Sequence, residues 1–289
     1  MIQRQDAVVV TGSAGRLGRA VVEHLVAAGE EVVGVDRVAA PMPPGVRVYT
    51  MPIAHPGALR PVFRGARAII HLAAMPNPRT GPGHTIYTTN TAATYAVLDA
   101  AAAEGVPRVV TASSGSVLGI SGGPRELSPL YAPLDEAHPV RPQDGYALSK
   151  QADEAACAMF HRATGLSVAA LRFPAIGTPE LLWERIRRER AEPGFLRRGL
   201  WAYVEVHDLA RAFAAAMAAE GIGWEVFAVA AADTLSEVPT EELLRRHHPD
   251  TVIRRPLPGH ASVWDVGKAA RVLGWRPEFT WRESERAPA

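Results

Sequence analysis

The chain has 289 residues, of which 47% are hydrophobic and 21% charged, and its net charge at pH 7 is +1. This length is enough for one large α/β domain or for a domain with a small appendage. Because the charge is balanced and forms no long runs, nucleic acid and anionic membranes are not expected as partners. The single cysteine, Cys157, excludes an intramolecular disulfide and fits the reducing cytoplasm, where we expect the protein to be located. No stretch reaches the about 20 apolar residues that a membrane span requires.

The first predicted strand, at 7–11, runs into a glycine-rich segment, and a helical pattern at 16–28 follows it. In this strand–turn–helix context a Gly-x-x-Gly-x-x-Gly motif binds the diphosphate of a dinucleotide. Gly12 allows the sharp turn, Gly15 allows the backbone to approach the diphosphate, and Gly18 allows helix and strand to pack closely. The helix N-terminus then offers free N–H groups to the phosphates. The alternative is an ordinary turn between a strand and a helix.

The second predicted strand, at 31–35, ends in Asp36, 18 residues beyond Gly18. A carboxylate at this place can accept hydrogen bonds from the ribose diol and repels a 2′-phosphate, which favours NAD over NADP. Arg37 follows immediately and could pair with a 2′-phosphate instead. We therefore predict NAD as the cofactor, with NADP the less favoured choice.

Apolar strands continue to alternate with helical patterns along the chain. The predicted strands lie at 7–11, 31–35, 46–50, 67–72, 107–112, 167–172, 201–206 and 225–230, and the predicted helices at 16–28, 57–64, 85–104, 146–164, 180–190 and 207–219. This alternation is typical of an α/β fold with a doubly wound parallel sheet of Rossmann type, whose ligands lie at the carboxyl ends of the strands. We predict a dinucleotide-binding domain at 1–172 and a small C-terminal substrate lobe at 173–289 that is interleaved with the last sheet strands.

The chain contains 29 arginines but only two lysines, and one of these, Lys150, follows Tyr146 by four residues. With six tyrosines, chance would produce a Tyr-x-x-x-Lys pair about 0.04 times. Positions i and i+4 share one face of a helix, so both side chains can reach one pocket. A nearby ammonium favours the phenolate form, so such a tyrosine can exchange a proton with a substrate hydroxyl near neutral pH. The alternative is an exposed cation–aromatic pair on a helix surface.

Further motifs accompany these two in a fixed order. They are His71-Leu72-Ala73-Ala74 at a strand end, Asn90 at the opening of a long helix, Ala112-Ser113-Ser114-Gly115-Ser116, Leu171-Arg172-Phe173-Pro174, Tyr203-Val204 with Asp208-Leu209-Ala210, and Leu273-Gly274-Trp275-Arg276-Pro277. With them, the chain resembles the extended short-chain dehydrogenase/reductase family, of the NAD-dependent epimerase/dehydratase type, over nearly its whole length.

The resemblance implies roles for individual residues. Ser114 would hold the reacting oxygen, Tyr146 would be the general base for oxidation and the general acid for reduction, and Lys150 would bind the nicotinamide ribose. The implied cofactor-binding residues are Gly12, Ala14, Gly15, Arg16, Leu17, Gly18, Asp36, Arg37, Ile53, Leu72, Ala73, Ala74, Asn90, Ala112, Tyr146, Lys150, Phe173 and Pro174. The implied substrate-binding residues are Met75, Ser114, Gly115, Ser116, Arg172 and Ala175.

Three of these assignments have open alternatives. Asn90 could be only a helix cap, Arg172 could be only a structural arginine, and Ser116 could merely satisfy backbone groups of its loop. No His, Cys and Asp cluster has metal-ligand spacing, so no metal is predicted.

The chain also departs from the family pattern. Pro52 stands where an acidic residue usually faces the adenine, which leaves Ile53 to contact the base. Ala175 stands where enzymes acting on nucleotide-activated sugars commonly carry an asparagine. The segment 172–203 is short for a lobe that must cover a nucleotide. In this respect, and in Arg172 together with Thr178-Pro179-Glu180, the chain looks more like the uronate dehydrogenase branch, which oxidises free sugar acids.

We therefore predict an NAD-dependent oxidoreductase that transfers a hydride between nicotinamide and a secondary alcohol or ketone of a small sugar-like or sugar-acid substrate. The alternative is an epimerase or dehydratase that retains NAD through a transient ketone, and a second alternative is a non-catalytic dinucleotide sensor. Small and apolar residues on more than one face of the helices at 85–104 and 146–164 predict a homodimer formed through these helices.

Overall fold

A computed structural model describes residues 6–283, and a parallel sheet flanked by helices forms its centre. The strands are β1 (Val8–Thr11), β2 (Val32–Asp36), β3 (Arg47–Thr50), β4 (Ala68–His71), β5 (Arg108–Ala112), β6 (Tyr131–Ala132), β7 (Ser167–Arg172), β8 (Ala175–Gly177), β9 (Tyr203–Glu205), β10 (Trp224–Ala228) and β11 (Val252–Ile253). The helices are α1 (Arg16–Ala27), α2 (Pro56–Phe63), α3 (Gly83–Ala103), α4 (Gly145–Thr164), α5 (Pro179–Ala191), α6 (Val206–Ala218), α7 (Thr240–His247) and α8 (Gly267–Val272).

Seven of the strands in this described part form one parallel sheet, in the order β3-β2-β1-β4-β5-β7-β10. The chain runs outward from β1 to β3 and then crosses back to β4 on the other side of β1. Such a reversal of strand order opens a crevice at the carboxyl ends of the two neighbouring strands, which is where ligands bind in sheets of this type. Thr11 pairs with His71, so β1 and β4 end level with one another at this crevice. The α/β fold of Rossmann type is confirmed.

The sheet is covered on both faces, which explains why its strands read as continuous apolar runs. On one face, Val8 and Val10 pack in a cluster with α1 and α6, to which Phe213 contributes. On the other face, Val9 packs in a cluster with α2, α3 and α4, to which Val97 and Phe160 contribute. Alternation along β1 thus places successive side chains in two separate apolar cores.

The second half of the chain contributes to both the sheet and a separate lobe. β10 is an edge strand of the main sheet, beside β7, and α6 packs against α1. Between β7 and α6 lies a small unit in which β8 and β9 pair in parallel and α5 follows β8. The division of the chain into domains at residue 172 stays a prediction.

The two family motifs near 208 and 275 contact each other at the start of α6. The Asp208 carboxylate accepts hydrogen bonds from the backbone nitrogens of Glu278 and Phe279, both at 2.9 Å. The Trp275 indole donates to the Asp208 carbonyl at 3.0 Å. The buried Asp208 therefore ties the last described segment of the chain to α6.

Candidate active site

The glycine turn between β1 and α1 is closely packed on its inner side and open on its outer side. Gly12 has a φ of +74°, and a β-carbon there would lie 2.6 Å from the backbone nitrogen of Ala73, so only glycine fits. A β-carbon on Gly18 would collide with the Gly12 carbonyl, which is why α1 can approach β1 so closely. A β-carbon on Gly15 would meet only the Gly12 carbonyl oxygen, at 3.3 Å, and Gly15 is exposed. Space for a phosphate is therefore left at Gly15.

Asp36, at the end of β2, organises the backbone of this turn. Its Oδ2 accepts a hydrogen bond from the Ala14 nitrogen at 2.9 Å, and its Oδ1 accepts one from the Val38 nitrogen at 3.2 Å. Each carboxylate oxygen keeps a second lone pair, so a ribose diol can still be bound. Arg37 is exposed, whereas Ile53 is only 9% exposed and belongs to the core beneath the adenine end.

The loop after β4 holds Leu72, Ala73, Ala74 and Met75, all half-buried at the crevice. Asn90 fixes this loop: its Oδ1 accepts from the Met75 nitrogen at 2.8 Å, and its Nδ2 donates to the Met75 carbonyl and to Ser149 Oγ. Asn90 is the eighth residue of α3 and 1% exposed, so the prediction that it opens the helix is wrong. Its side chain therefore holds the loop at the crevice, and its contact with a cofactor stays a prediction.

Two buried contacts fasten α4 to the end of β5. Lys150 Nζ donates to the Ala112 carbonyl at 2.9 Å, and Ser113 Oγ donates to Glu154 Oε1 at 2.6 Å. Asp144 caps the helix by accepting a hydrogen bond from the Ala147 nitrogen at 2.8 Å. The helix carries Tyr146 in its first turn, so these contacts set the position of the tyrosine relative to the serine loop after β5.

Ser114 and Tyr146 are both 7% exposed, on the loop after β5 and on the adjoining α4. Ser114 Oγ accepts a hydrogen bond from the Ser116 nitrogen at 3.1 Å, and its own proton is left for a ligand. The Tyr146 hydroxyl makes no hydrogen bond with any residue of the described range, and it is not among that range's enclosed unpaired atoms. The phenol is thus buried along its ring and accessible at its hydroxyl.

The structure corrects the prediction that Arg172 binds substrate. Arg172 is 6% exposed, and its Nε and one terminal nitrogen donate to the two oxygens of Glu154 at 2.8 and 2.7 Å. Its other terminal nitrogen donates to the Glu136 carbonyl at 3.2 Å. Because the side chain is buried and all three of its nitrogens already bind protein acceptors, Arg172 has a structural role.

Two other predicted contacts also prove to be internal. The Gly115 nitrogen donates to the Phe173 carbonyl, and the Trp264 ring covers its α-carbon so closely that a β-carbon would lie 2.8 Å from the indole. The Phe173 ring packs edge-on against Phe213, with centroids 6.3 Å apart. Gly115 and Phe173 therefore belong to the core under the site. By contrast, Ser116 and Pro174 are half-buried and Ala175 is exposed.

Arg79 and Arg185 were not predicted from the sequence, unlike Arg16, which was expected to bind the cofactor. Arg16 follows the glycine turn, Arg79 lies in the loop after β4, and the half-buried Arg185 comes from α5 of the lobe. Burial lowers the pKa of Arg185, and the nearby positive charges of Arg16 and Arg79 lower it further. Within residues 6–283, none of the three guanidinium groups forms an ion pair at hydrogen-bond distance. Because only the carboxylate of Glu184 opposes these three charges among the described residues, this part of the site carries a net positive charge.

The described residues fit NAD. The N–H groups of Arg16 and Leu17, in the first turn of α1, have no carbonyl partner within the helix and lie beside the open face of Gly15. Asp36 supplies acceptors for the adenosine ribose, and Lys150 lies at the far end of the crevice. In this part of the chain, no three His, Cys, Asp or Glu side chains are grouped to hold a metal. No helix among residues 6–283 has the length and hydropathy of a membrane span.

A model of the NAD-dependent epimerase/dehydratase family matches residues 8–230. The chain belongs to this family. NAD is therefore its cofactor, and the protein is an enzyme of the short-chain dehydrogenase/reductase type, as predicted.

Relatives within the family carry out different reactions. The chain is 29% identical over 199 residues to the L-arabinose 1-dehydrogenase (NAD(P)(+)) of Haloferax volcanii. The aligned region covers 67% of this chain and 76% of that enzyme. It is 31% identical over 184 residues to the UDP-glucose 4-epimerase of Streptomyces lividans, covering 59% of this chain and only 50% of that enzyme. The fold is similar to that of a mutated uronate dehydrogenase, with a TM-score of 0.68, 24% identity and coverage of 97% of this chain and 86% of the other.

Proposed function

We propose that the protein is an NAD-dependent dehydrogenase that acts on a secondary alcohol or ketone of a small sugar acid. The observation that carries the proposal is the accessible hydroxyl of Tyr146, one helical turn from the buried Lys150 and next to the serine loop after β5. This arrangement presents a proton acceptor, Tyr146, and a hydrogen-bond donor, Ser114, to one substrate oxygen.

The chain's own residues bind and orient the substrate and move one proton. During oxidation, Tyr146 takes the proton of the substrate hydroxyl, while the Ser114 hydroxyl donates a hydrogen bond to the same oxygen. During reduction, Tyr146 returns the proton. The Lys150 ammonium, one helical turn away, supplies a positive charge near the oxygen that takes and returns the proton. Bound NAD would accept or supply the hydride at its nicotinamide ring, and positioning of the two reactants contributes further to the rate.

The charge of the site supports an anionic substrate. Arg185, on α5 of the lobe, lies close enough to Arg16 and to Arg79 in the loop after β4 for their charges to lower its pKa. A carboxylate of a sugar acid could form with these guanidinium groups the hydrogen-bonded ion pair that no described residue forms with them. The short connection between β7 and β9 leaves little chain to cover a nucleotide.

A substrate panel tests the proposal. Uronates, neutral aldoses and nucleotide sugars are each incubated with NAD and with NADP, and the absorbance of reduced cofactor is followed. We expect reduced cofactor to accumulate in stoichiometric amount with a uronate and NAD. Accumulation only with nucleotide sugars would contradict the substrate class, and the absence of reduced cofactor with any compound would contradict dehydrogenation.

Replacing the catalytic phenol gives a first prediction. Tyr146→Phe removes the proton acceptor, so kcat should fall by between about 10² and 10⁴-fold, while NAD affinity, measured by calorimetry, stays nearly the same. Tyr95→Phe is the matched control, because that tyrosine is 51% exposed on α3 and should keep full activity. Loss of NAD binding without a specific loss of turnover would instead assign a structural role to Tyr146.

An epimerase that retains NAD is the second candidate, supported by the match to UDP-glucose 4-epimerase. Such an enzyme regenerates NAD in every cycle, so product would form without net accumulation of reduced cofactor. Product analysis by NMR in the same panel separates this reaction from dehydrogenation.

A further inference from the structure

Beneath the candidate site lies a buried polar layer, formed by Thr11, His71, Thr94, Lys150 and Asp153. Thr11 Oγ1 is 2.7 Å from His71 Nδ1, and His71 Nε2 is 3.2 Å from Thr94 Oγ1. Lys150 Nζ is 3.2 Å from Asp153 Oδ2. Each of these residues is at most 3% exposed. The layer therefore connects the first sheet strand to the catalytic lysine without contact with water.

Asp153 makes a contact that the Tyr-x-x-x-Lys motif does not include. It stands three residues after Lys150 on α4 and is 2% exposed. Its Oδ2 binds the ammonium, whereas its Oδ1 has no hydrogen-bond partner of ordinary geometry in the described range. Burial raises the pKa of the Asp153 carboxyl, and the Lys150 ammonium, followed by the Thr94 hydroxyl of α3, acts in the opposite direction by favouring the charged form. The lysine is therefore the principal partner of Asp153, and a purely structural carboxylate would be expected to bind other groups.

The remaining ionisable groups around Lys150 cannot take the place of this counter-ion. Burial, and then the charge of Lys150, lower the pKa of His71 to about 3, so the imidazole is neutral. Glu154 is engaged by Arg172 and Ser113.

The other ionisable side chains on α4 also cannot serve as the counter-ion of Lys150. Burial raises the pKa of the Cys157 thiol, so that group is also neutral. Tyr146, the other group facing the ammonium, is the proton-transfer residue. Burial lowers the pKa of Lys150, but attraction to Asp153 and Tyr146 outweighs this and leaves the pKa above its usual range. Asp153 is thus the principal anion next to the ammonium.

We propose that Asp153 is a positioning residue for the dehydrogenase reaction: it holds the Lys150 ammonium charged and fixed between its own carboxylate and the Ala112 carbonyl. The expected effect on turnover rests on the proposed function, whereas the expected effect on the charge of Lys150 does not. Without Asp153, a fully buried ammonium would lack its counter-ion and would lose its proton at a lower pH. Tyr146 would then lose the positive charge near its hydroxyl.

The scarcity of lysine allows a direct test. Because the chain has only two lysines, incorporation of lysine labelled with ¹³C at Cε gives two NMR signals, and Lys268→Arg assigns them. In the wild type, we expect the Lys150 signal to remain that of an ammonium beyond the ordinary lysine pKa of about 10.4. In Asp153→Asn, which keeps the shape of the side chain, its titration should move down by at least about one pH unit.

A matched control removes the carboxylate that binds the other lysine, Lys268. Glu225 lies 2.6 Å from Lys268 and is 45% exposed, so Glu225→Gln should change the Lys268 titration little and leave Lys150 unchanged. An unchanged Lys150 signal in Asp153→Asn would overturn the proposal. So would a wild-type Lys150 that titrates below the ordinary value, a result that does not require the variant to fold.

Kinetics then separate this proposal from the proposed function. Asp153→Asn should lower kcat between about tenfold and a hundredfold, because the ammonium is no longer held in place. The loss should grow as the pH rises through the new Lys150 titration, and Asp153→Glu, which restores the charge, should reverse part of it. A shifted Lys150 titration in a protein inactive on every sugar acid would refute the proposed function alone. A normal titration in an active enzyme would refute the role of Asp153 alone.

Discussion

Arg172 and Arg185 show that the neighbours of a charged side chain decide its role. Arg172 is held by both oxygens of Glu154, and breaking a buried pair of this kind leaves an uncompensated charge. Arg185 has no such partner within the described range, and its neighbours Arg16 and Arg79 carry the same charge. The Arg172–Glu154 pair therefore stabilises the fold, whereas the positive charge around Arg185 favours the binding of an anion.

The role of Arg185 leads to a prediction about substrate charge. Arg185→Met should raise the KM for a uronate by about 10- to 100-fold, the equivalent of one lost charge-assisted hydrogen bond, and should leave the KM for a neutral aldose unchanged. Steady-state kinetics with both substrates measure the difference. Arg187→Met, which alters an exposed arginine of the same helix, is the control. An equal rise in KM for both substrates would show that Arg185 supports the lobe rather than the carboxylate.

For individual residues, the sequence predicted where the site lies but not which side chains pair with one another inside it. Tyr146, Lys150 and Ser114 were predicted because their spacing on one helix and at one strand end is visible in the chain. The Arg172–Glu154 pair and the Asp153–Lys150 pair depend on which side chains become buried together, and this is decided by packing. Arg79 and Arg185 are 106 residues apart in sequence, so their proximity left no local signal.

Among the secondary-structure elements, the long and fully covered ones were the most predictable. The central strands of the main sheet, such as β1, β4 and β7, are buried on both faces, so each is a distinct apolar run. β6, β8 and β11 were missed because two or three residues are too few to show a period of two. α7 was missed because charged side chains dominate its eight residues, and only three of them are buried.

α3 and α4 also carry the prediction of a homodimer. They pack against one another, and Tyr95 on α3 and Leu148 on α4 remain 51% and 45% exposed. We expect the wild type to sediment as a dimer and Tyr95→Glu to shift it toward monomer, because a charge would be placed in an apolar contact. Val272→Glu is the control, since that equally exposed residue lies on α8 and should leave the dimer intact. A wild-type monomer would refute the prediction.

For the molecule as a whole, the buried polar layer predicts how stability depends on pH. His71 has a pKa of about 3 when folded and about 6.5 when unfolded, mainly because burial disfavours its charge. Between these values the unfolded chain binds the additional proton, so stability decreases as the pH falls. Acidification from pH 7 to pH 5 should therefore cost about 2 kcal/mol through His71 alone.

Urea unfolding at several pH values measures this contribution. His71→Gln should show a shallower loss of stability between pH 7 and 5 than the wild type, whatever its stability at neutral pH. The other buried histidines are present in both proteins, so the difference between the two slopes isolates His71. His84→Gln, which changes an exposed side chain, should keep the wild-type slope. Identical slopes in all three proteins would contradict a neutral His71.

The pairing of β8 with β9 has a consequence for how such an enzyme can diversify. Because Ala175–Gly177 is hydrogen-bonded to Tyr203–Glu205, the stretch of chain between them leaves and re-enters the molecule at almost one point. Such a cassette can be exchanged during evolution without disturbing the junctions on either side, while α6 and β10 stay packed in the dinucleotide half. A change confined to residues 178–202, which include Arg185, could therefore alter the sugar preference and leave the hydride and proton chemistry as it was.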